Sequence, residues 1–201
     1  MIKLHFGCGS HQLEGWQNLD LPQVDVTKKL KFSNYTIDFI FHEHLLEHLD
    51  EVDGYNFLKE CYRILKTGGK MRISCPSIDG FIWAYQNWDK IPDTNWKIIR
   101  HCNDRNKFIN YATFFETAGY QGKRYDSEGK IQSVKRGVMW HKNLEDRESI
   151  EKKLIKIGFK NITFTKQHES SNPNLRNLER RFGGKFKDRP FQLDLVVEAE
   201  K

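Results

Sequence analysis

No apolar run in the sequence is long enough to span a membrane, and no charged-then-apolar leader precedes the first strand-like residues at Ile2. A leader is therefore not expected. The four cysteines, Cys8, Cys61, Cys75 and Cys102, lack CxxC spacing. They read as reduced thiols of a cytoplasmic protein rather than as a disulfide framework. Internal repeats and low-complexity tracts are also missing. These absences exclude a membrane span, a secreted disulfide scaffold and a solenoid. What remains is a 201-residue chain with 30% charged and 38% hydrophobic residues. Such a composition suits one soluble domain over residues 1–201, large enough for a sheet covered on both faces.

The formal net charge is +6. Its excess gathers late, in Lys123-Arg124, Lys135-Arg136 and Arg176 through Arg189. An anionic partner such as RNA, a phosphorylated sugar or a nucleotide-sugar would match it, and so would an ordinary basic surface.

Residues 2–6 and 17–21 read as strands, and Ile37-Asp-Phe-Ile-Phe41 as a third, buried on both faces. Apolar residues at Tyr55, Leu58, Cys61, Tyr62 and Leu65 give Glu51–Lys66 a helical period that Gly68-Gly69 stops. Lys70–Cys75 is the next strand. This strand–helix–strand order implies a parallel sheet. A second helix is expected over Asp146–Ile157, ended by Gly158, followed by strands at Asn161–Lys166 and Phe191–Glu198.

Residues 78–142 break the pattern and hold Trp83, Trp88, Trp96 and Trp140 with Tyr85, Tyr111, Phe114, Phe115 and Tyr120. The stretch is too aromatic and too long for a connection. It reads as an insertion folding over the sheet edge, with some helix near Asn103–Thr117.

The chemistry begins with Gly7-Cys8-Gly9 after the first strand, followed by Asp20 after the second. Glycines let a backbone approach a ligand closely, and a carboxylate can accept hydrogen bonds from ribose hydroxyls. A lone Gly-x-Gly is a weak signal. A surface carboxylate at a strand end is the plainer reading of Asp20 and Asp25.

The segments downstream narrow it. Leu4-His-Phe-Gly-Cys-Gly9, Gly15-Trp-Gln-Asn-Leu-Asp20, Asp25–Phe32 with Ile37–Phe41, Glu43-His-Leu-Leu-Glu-His48 and Leu58–Gly69 occur in one order. That order resembles the class I S-adenosylmethionine (SAM)-dependent methyltransferases, in particular short "type 11"-like members. Leu58-Lys-Glu-Cys-Tyr-Arg-Ile-Leu-Lys-Thr-Gly-Gly69 is the most specific of these segments. Trp140-His141, Leu154–Phe159 and the tail Ser171–Glu179 with Val197–Ala199 also look like this subgroup. The likeness covers roughly residues 2–77 and 139–200. His5 departs from it, standing where many relatives are acidic. So do His11, in place of a third glycine, and Thr67, in place of proline. With Asp20 only 13 residues after Gly7, the helix after the first strand must be very short or missing.

The resemblance implies an α/β fold, a Rossmann-like and mostly parallel seven-stranded sheet whose last strand is antiparallel, with 78–142 as an inserted lid. It implies SAM as cofactor, held by Gly7, Cys8, Gly9, Asp20, Leu21, Asp25, Val26 and His42. Gly7, Cys8 and Gly9 would pack on the methionine end, Asp20 would take the ribose hydroxyls, and Asp25 and Val26 the adenine. Displacement at the methyl group needs an aligned acceptor, exclusion of water and, for a hydroxyl, removal of a proton. His42, Glu43 and His44 at the end of the third strand, and His141 beyond the insertion, are the candidate catalytic groups.

Ser74-Cys-Pro-Ser77 does not match the Asn/Asp-Pro-Pro-Tyr/Phe pattern of enzymes that methylate amino groups of bases. The expected acceptor is a hydroxyl of a sugar, glycan or other small molecule, with RNA as the alternative. A SAM-binding subunit without catalysis is a further one. His44-Leu-Leu-Glu-His48 also satisfies the HxxEH spacing of zinc peptidases. No third ligand was evident on another helix, so no metal ion is expected.

Overall fold

The computed structural model describes residues 1–90, 123–125, 131–133, 141–179 and 194–201. The expected helix near Asn103–Thr117, the aromatic residues Trp96, Tyr111, Phe114, Phe115, Tyr120 and Trp140, the basic pair Lys135-Arg136, the basic positions from 180 to 189 and the start of the last strand lie outside these residues.

Strands β1 (Lys3–Phe6), β2 (Gln17–Leu19), β3 (Ile37–Glu43) and β4 (Leu65–Pro76) are followed by a separate hairpin, β5 (Lys123–Tyr125) and β6 (Ile131–Ser133). Then come β7 (Lys160–Phe164) and β8 (Asp194–Glu200). Helices are α1 (Glu51–Ile64), α2 (Ile78–Gln86) and α3 (Arg147–Ile157). The main sheet runs β2-β1-β3-β4-β8-β7. Pairs β2–β1, β1–β3 and β3–β4 are parallel, and β8 is antiparallel to both neighbours. The antiparallel last strand is as expected.

The sheet has six strands among the described residues, not the seven expected. Arg63 holds the stretch before β3 in place. Its guanidinium donates to the carbonyls of Leu30 and Phe32 and to Asn34 Oδ1, at 3.0, 2.9 and 2.7 Å. Glu60 accepts from Arg63 and from the Leu30 amide at 2.8 Å. The Asp25–Phe32 stretch is therefore pinned to α1 through its backbone polar groups, which a strand would have used in a ladder. Leu30 still enters the core. The helix after β1 is missing, as the 13-residue spacing demanded.

Capping sets the helices. Asp50 caps α1 by accepting from the Asp53 amide at 2.8 Å, and Asp146 caps α3 in a reciprocal box with Ser149. Gly158 ends α3 at φ +117, where a Cβ would lie 2.9 Å from the Tyr62 hydroxyl oxygen. Helix α1 stops at Ile64, four residues before Gly68, because Leu65 already pairs with Ile37.

The faces of the sheet differ. Leu4, Phe6, Ile40, Met71, Ile73, Leu195 and Val197 point to α1 and α3 and form the main core with Phe57, Leu58, Ile150 and Leu154. The other face carries Phe39 and Phe41 against Leu13, Trp16, Leu175 and Leu178, beside buried His5, Arg72, Ser74 and Glu198. Coil segments 8–16 and 165–179 cover it. Arg72, fully buried, donates to Glu179 at 2.5 Å, to Glu198, to Thr165 and to the Glu169 carbonyl.

Candidate active site at the carboxyl edge of the sheet

Parallel strands end together, and their carboxyl edge gathers the loops that follow. After β1 the chain turns through Gly7 at φ +66 and Gly9 at φ +51, values that L-residues rarely adopt. Gly7 donates its amide to the Leu19 carbonyl at 2.8 Å. The Gly9 amide donates to Asp20 Oδ2 at 2.7 Å and the Leu21 amide to Asp20 Oδ1 at 2.8 Å. Asp20 thus shapes the glycine turn, and each oxygen keeps a lone pair for a further donor. Cys8 is buried and accepts from Gln12 at 3.4 Å; burial pushes its thiol pKa up.

Leu21 is 53% exposed, and Asp25 closes an Asx turn by accepting from the Thr27 amide and hydroxyl at 3.0 and 2.7 Å. Those bonds lower the Asp25 pKa. Val24 and Val26 pack on the main core.

The departures at His5 and His11 have a physical account. His5 is buried, bonds Asn18 at 3.1 Å, stacks on Phe41 and meets the His11 ring edge-on. Burial lowers its pKa to about 4. His11 Nδ1 lies 3.6 Å from Glu43 Oε2.

Beyond β3 the sequence candidates part company. His42 ends up on the helix-covered face beside Phe57, at 5.3 Å between ring centroids. Burial drives its pKa down to about 3, and neither ring nitrogen has a hydrogen-bond partner among the described residues. It is a neutral, weak base. His44 adopts φ +51 and sits between two carboxylates, with Nδ1 2.8 Å from Glu47 Oε1 and Nε2 3.4 Å from Asp194 Oδ2. Burial alone would lower its pKa, but Asp194 and Glu47 raise it to about 10. It is then a cation at neutral pH, so the expectation that His44 accepts a proton does not fit this geometry.

The HxxEH spacing does not form a shared helix face either. His44 precedes a 3-10 turn, Leu46–His48, and does not share a helix face with His48. The partner of His48 is instead His141, whose ring lies 4.9 Å away edge-on. The Lys142 and Asn143 amides donate to the Glu47 carbonyl at 2.6 and 3.3 Å, which brings His141 Nε2 to 3.9 Å from Glu47 Oε1. Neither Glu47 nor Asp194 is among the sequence candidates: Glu47 lies inside the Glu43–His48 segment, and Asp194 opens β8.

The insertion leaves and returns at one place. Ser77 bridges Glu145 in parallel, the Ile78 amide donates to the Glu145 carbonyl at 3.1 Å, and the Arg147 amide to Asp79 at 2.9 Å. That junction adjoins the carboxyl end of β4.

A family model described as a methyltransferase domain matches residues 4–73. No curated protein matches the sequence. Among solved structures, a SAM-dependent methyltransferase from Methanosarcina mazei is 16% identical with a TM-score of 0.53, over 99% of this chain and 91% of that one. One from Thermotoga maritima, described as a possible histamine N-methyltransferase, is 13% identical with a TM-score of 0.51, over 100% and 82%. These two likenesses speak to the fold. No helix among the described residues is long and apolar enough to cross a membrane. The two positive-φ glycines, Asp20 with lone pairs to spare and the orphaned His42 nitrogens suit a zwitterionic nucleoside ligand. The methyltransferase-domain match over β1 to β4 and this sheet order support an enzyme of the SAM-dependent methyltransferase kind, with S-adenosyl-L-methionine as its cofactor.

Proposed function

We propose that the enzyme transfers the methyl group to a hydroxyl of a sugar or other small molecule. One observation carries this reading: Glu47, His48 and His141 converge at the carboxyl edge of the sheet, where β3 and the insertion junction meet. A hydroxyl acceptor must lose a proton, whereas a thiolate or a neutral amine makes less demand on a base. When bound, the cofactor supplies an activated methyl group on sulfonium sulfur. The Gly7–Gly9 turn and Asp20 would hold its amino-acid and ribose parts, with Asp25 and Val26 at the adenine and the neutral His42 nitrogens offering one donor and one acceptor. The acceptor would lie on the side of Glu47, His48 and His141. His44 acts as a positioning residue, fixing the Glu47 carboxylate through a charge-assisted bond. The insertion, anchored at Ser77 and Glu145, would close over the edge and exclude water.

The test is methyl-labelled SAM offered with panels of sugars, nucleotide-sugars, small alcohols, amines and RNA. Methyl ethers on a small hydroxyl compound are the expected products. Label confined to nitrogen, carbon or RNA would overturn the reading. An RNA acceptor would also show binding that falls steeply with salt.

A further inference from the structure

We propose that Glu47, His48 and His141 form a binding site for one divalent transition-metal ion. Each residue brings one potential ligand atom to within 4.8 Å of the other two. Two imidazoles and a carboxylate are borderline donors, suited to Zn²⁺, Co²⁺ or Mn²⁺ rather than to Mg²⁺, which prefers an all-oxygen shell. Metal–ligand bonds of ~2.1 Å in a tetrahedral site place ligand atoms about 3.4 Å apart. Holding an ion would draw these atoms closer together than they lie here.

A second observation points the same way. Glu47 is 3% exposed, and its Oε2 has no hydrogen-bond partner among the described residues, while Oε1 is engaged by His44. A buried carboxylate oxygen left without a donor is costly unless something charged or polar completes it. His44, itself fixed by Asp194, orients the carboxylate as an outer-shell group does around a metal. The backbone also invests in the cluster: two successive amides, from Lys142 and Asn143, bind the Glu47 carbonyl and bring in a histidine 93 residues after His48. The ligand set joins the turn after β3 to the segment at His141, so metal binding would also tie these two segments together.

Three protein ligands leave coordination positions open. On the hydroxyl-acceptor reading, on which this last step rests, an open position would take the acceptor oxygen and make its proton easier to lose. The ion itself does not depend on that reading.

The test needs neither SAM nor acceptor. Full-length protein is stripped with chelator and titrated with Co²⁺ or Zn²⁺, with Mg²⁺ for comparison. Binding is read by elemental analysis after gel filtration, by Co²⁺ absorption and by imidazole NMR. We expect one tightly held Co²⁺ or Zn²⁺ per chain, no comparable Mg²⁺ binding, and perturbation of two imidazoles in the wild type. His48→Ala and His141→Ala should each weaken the ion at least tenfold while SAM binding persists. Absence of stoichiometric Co²⁺ and Zn²⁺ binding, or undiminished binding in both variants, overturns the site. The imidazole readout stands even if a variant fails to fold. A bound ion with methyl transfer to nitrogen would leave the site standing and remove the hydroxyl reading instead.

Discussion

The two faces of the sheet solve the same burial problem with opposite chemistry. Under α1 and α3, β1, β3, β4 and β8 present Leu4, Phe6, Ile40, Ile73 and Val197, and the helices answer with Phe57, Leu58, Ile150 and Leu154. There the driving force is the removal of apolar area from water, about 25 cal/mol per Å². On the opposite face the covering segments are coil, whose backbone carbonyls need donors. Arg72 supplies them, binding the Glu169 and Lys166 carbonyls while neutralising Glu179 and Glu198. An apolar face accepts helices because helices satisfy their own backbones. A coil-covered face needs a buried cation, or something equivalent, in the middle of a strand.

That contrast can be broken. Arg72→Ala strands two buried carboxylates and several carbonyls and should cost about 3–5 kcal/mol, measured by denaturant unfolding. A loss below about 1 kcal/mol would mean that solvent reaches this face. Leu154→Ala on the helix-covered face leaves a cavity and should cost about 2–5 kcal/mol. Raised salt should leave the Leu154 effect unchanged.

Histidines on both faces give a pH signature. His5 and His42 are held neutral, with pKa values lowered by burial to about 4 and about 3 from 6.5. The unfolded chain binds protons below pH 6.5 that the folded one refuses. Stability contributed by these groups is present above pH 6.5 and is lost as pH falls, by up to about 1.4 kcal/mol per pH unit for each. The loss levels off near pH 4 for His5 and near pH 3 for His42. His42→Phe should flatten the acid limb of an unfolding-versus-pH profile; an unchanged limb would show that His42 is hydrated. The smallest effect expected is Asp146→Ala, about 1 kcal/mol from the lost cap of α3, read by thermal melting.

Local signals made much of this legible. Asp146 and Gly158 bracket α3 in the sequence as they do in the fold, and the strand–glycine–strand opening placed Gly7, Gly9 and Asp20 together. Where the chain departs from expectation, a distant partner decides. Arg63 takes the carbonyls of Leu30 and Phe32 from across 31–33 residues, so the stretch before β3 is held against α1 by a partner that no local signal announces. Arg72 sits mid-strand in an otherwise apolar run, and its partners Glu179 and Glu198 lie 107 and 126 residues on. His44 and His48 have helical spacing, but φ +51 at His44 turns the two rings toward different partners. Of the stretch 78–142 expected as an aromatic lid, residues 78–90, 123–125, 131–133 and 141–142 are described.

The central claim is that the Gly7–Gly9 turn and Asp20 hold the cofactor. Titration calorimetry of S-adenosylhomocysteine with wild type and Asp20→Ala tests it most directly. A charge-assisted bond of about 1.5–3 kcal/mol predicts one site in the wild type and at least about tenfold weaker binding in the variant. Equal affinity in the two proteins, or no binding in the wild type, would contradict it.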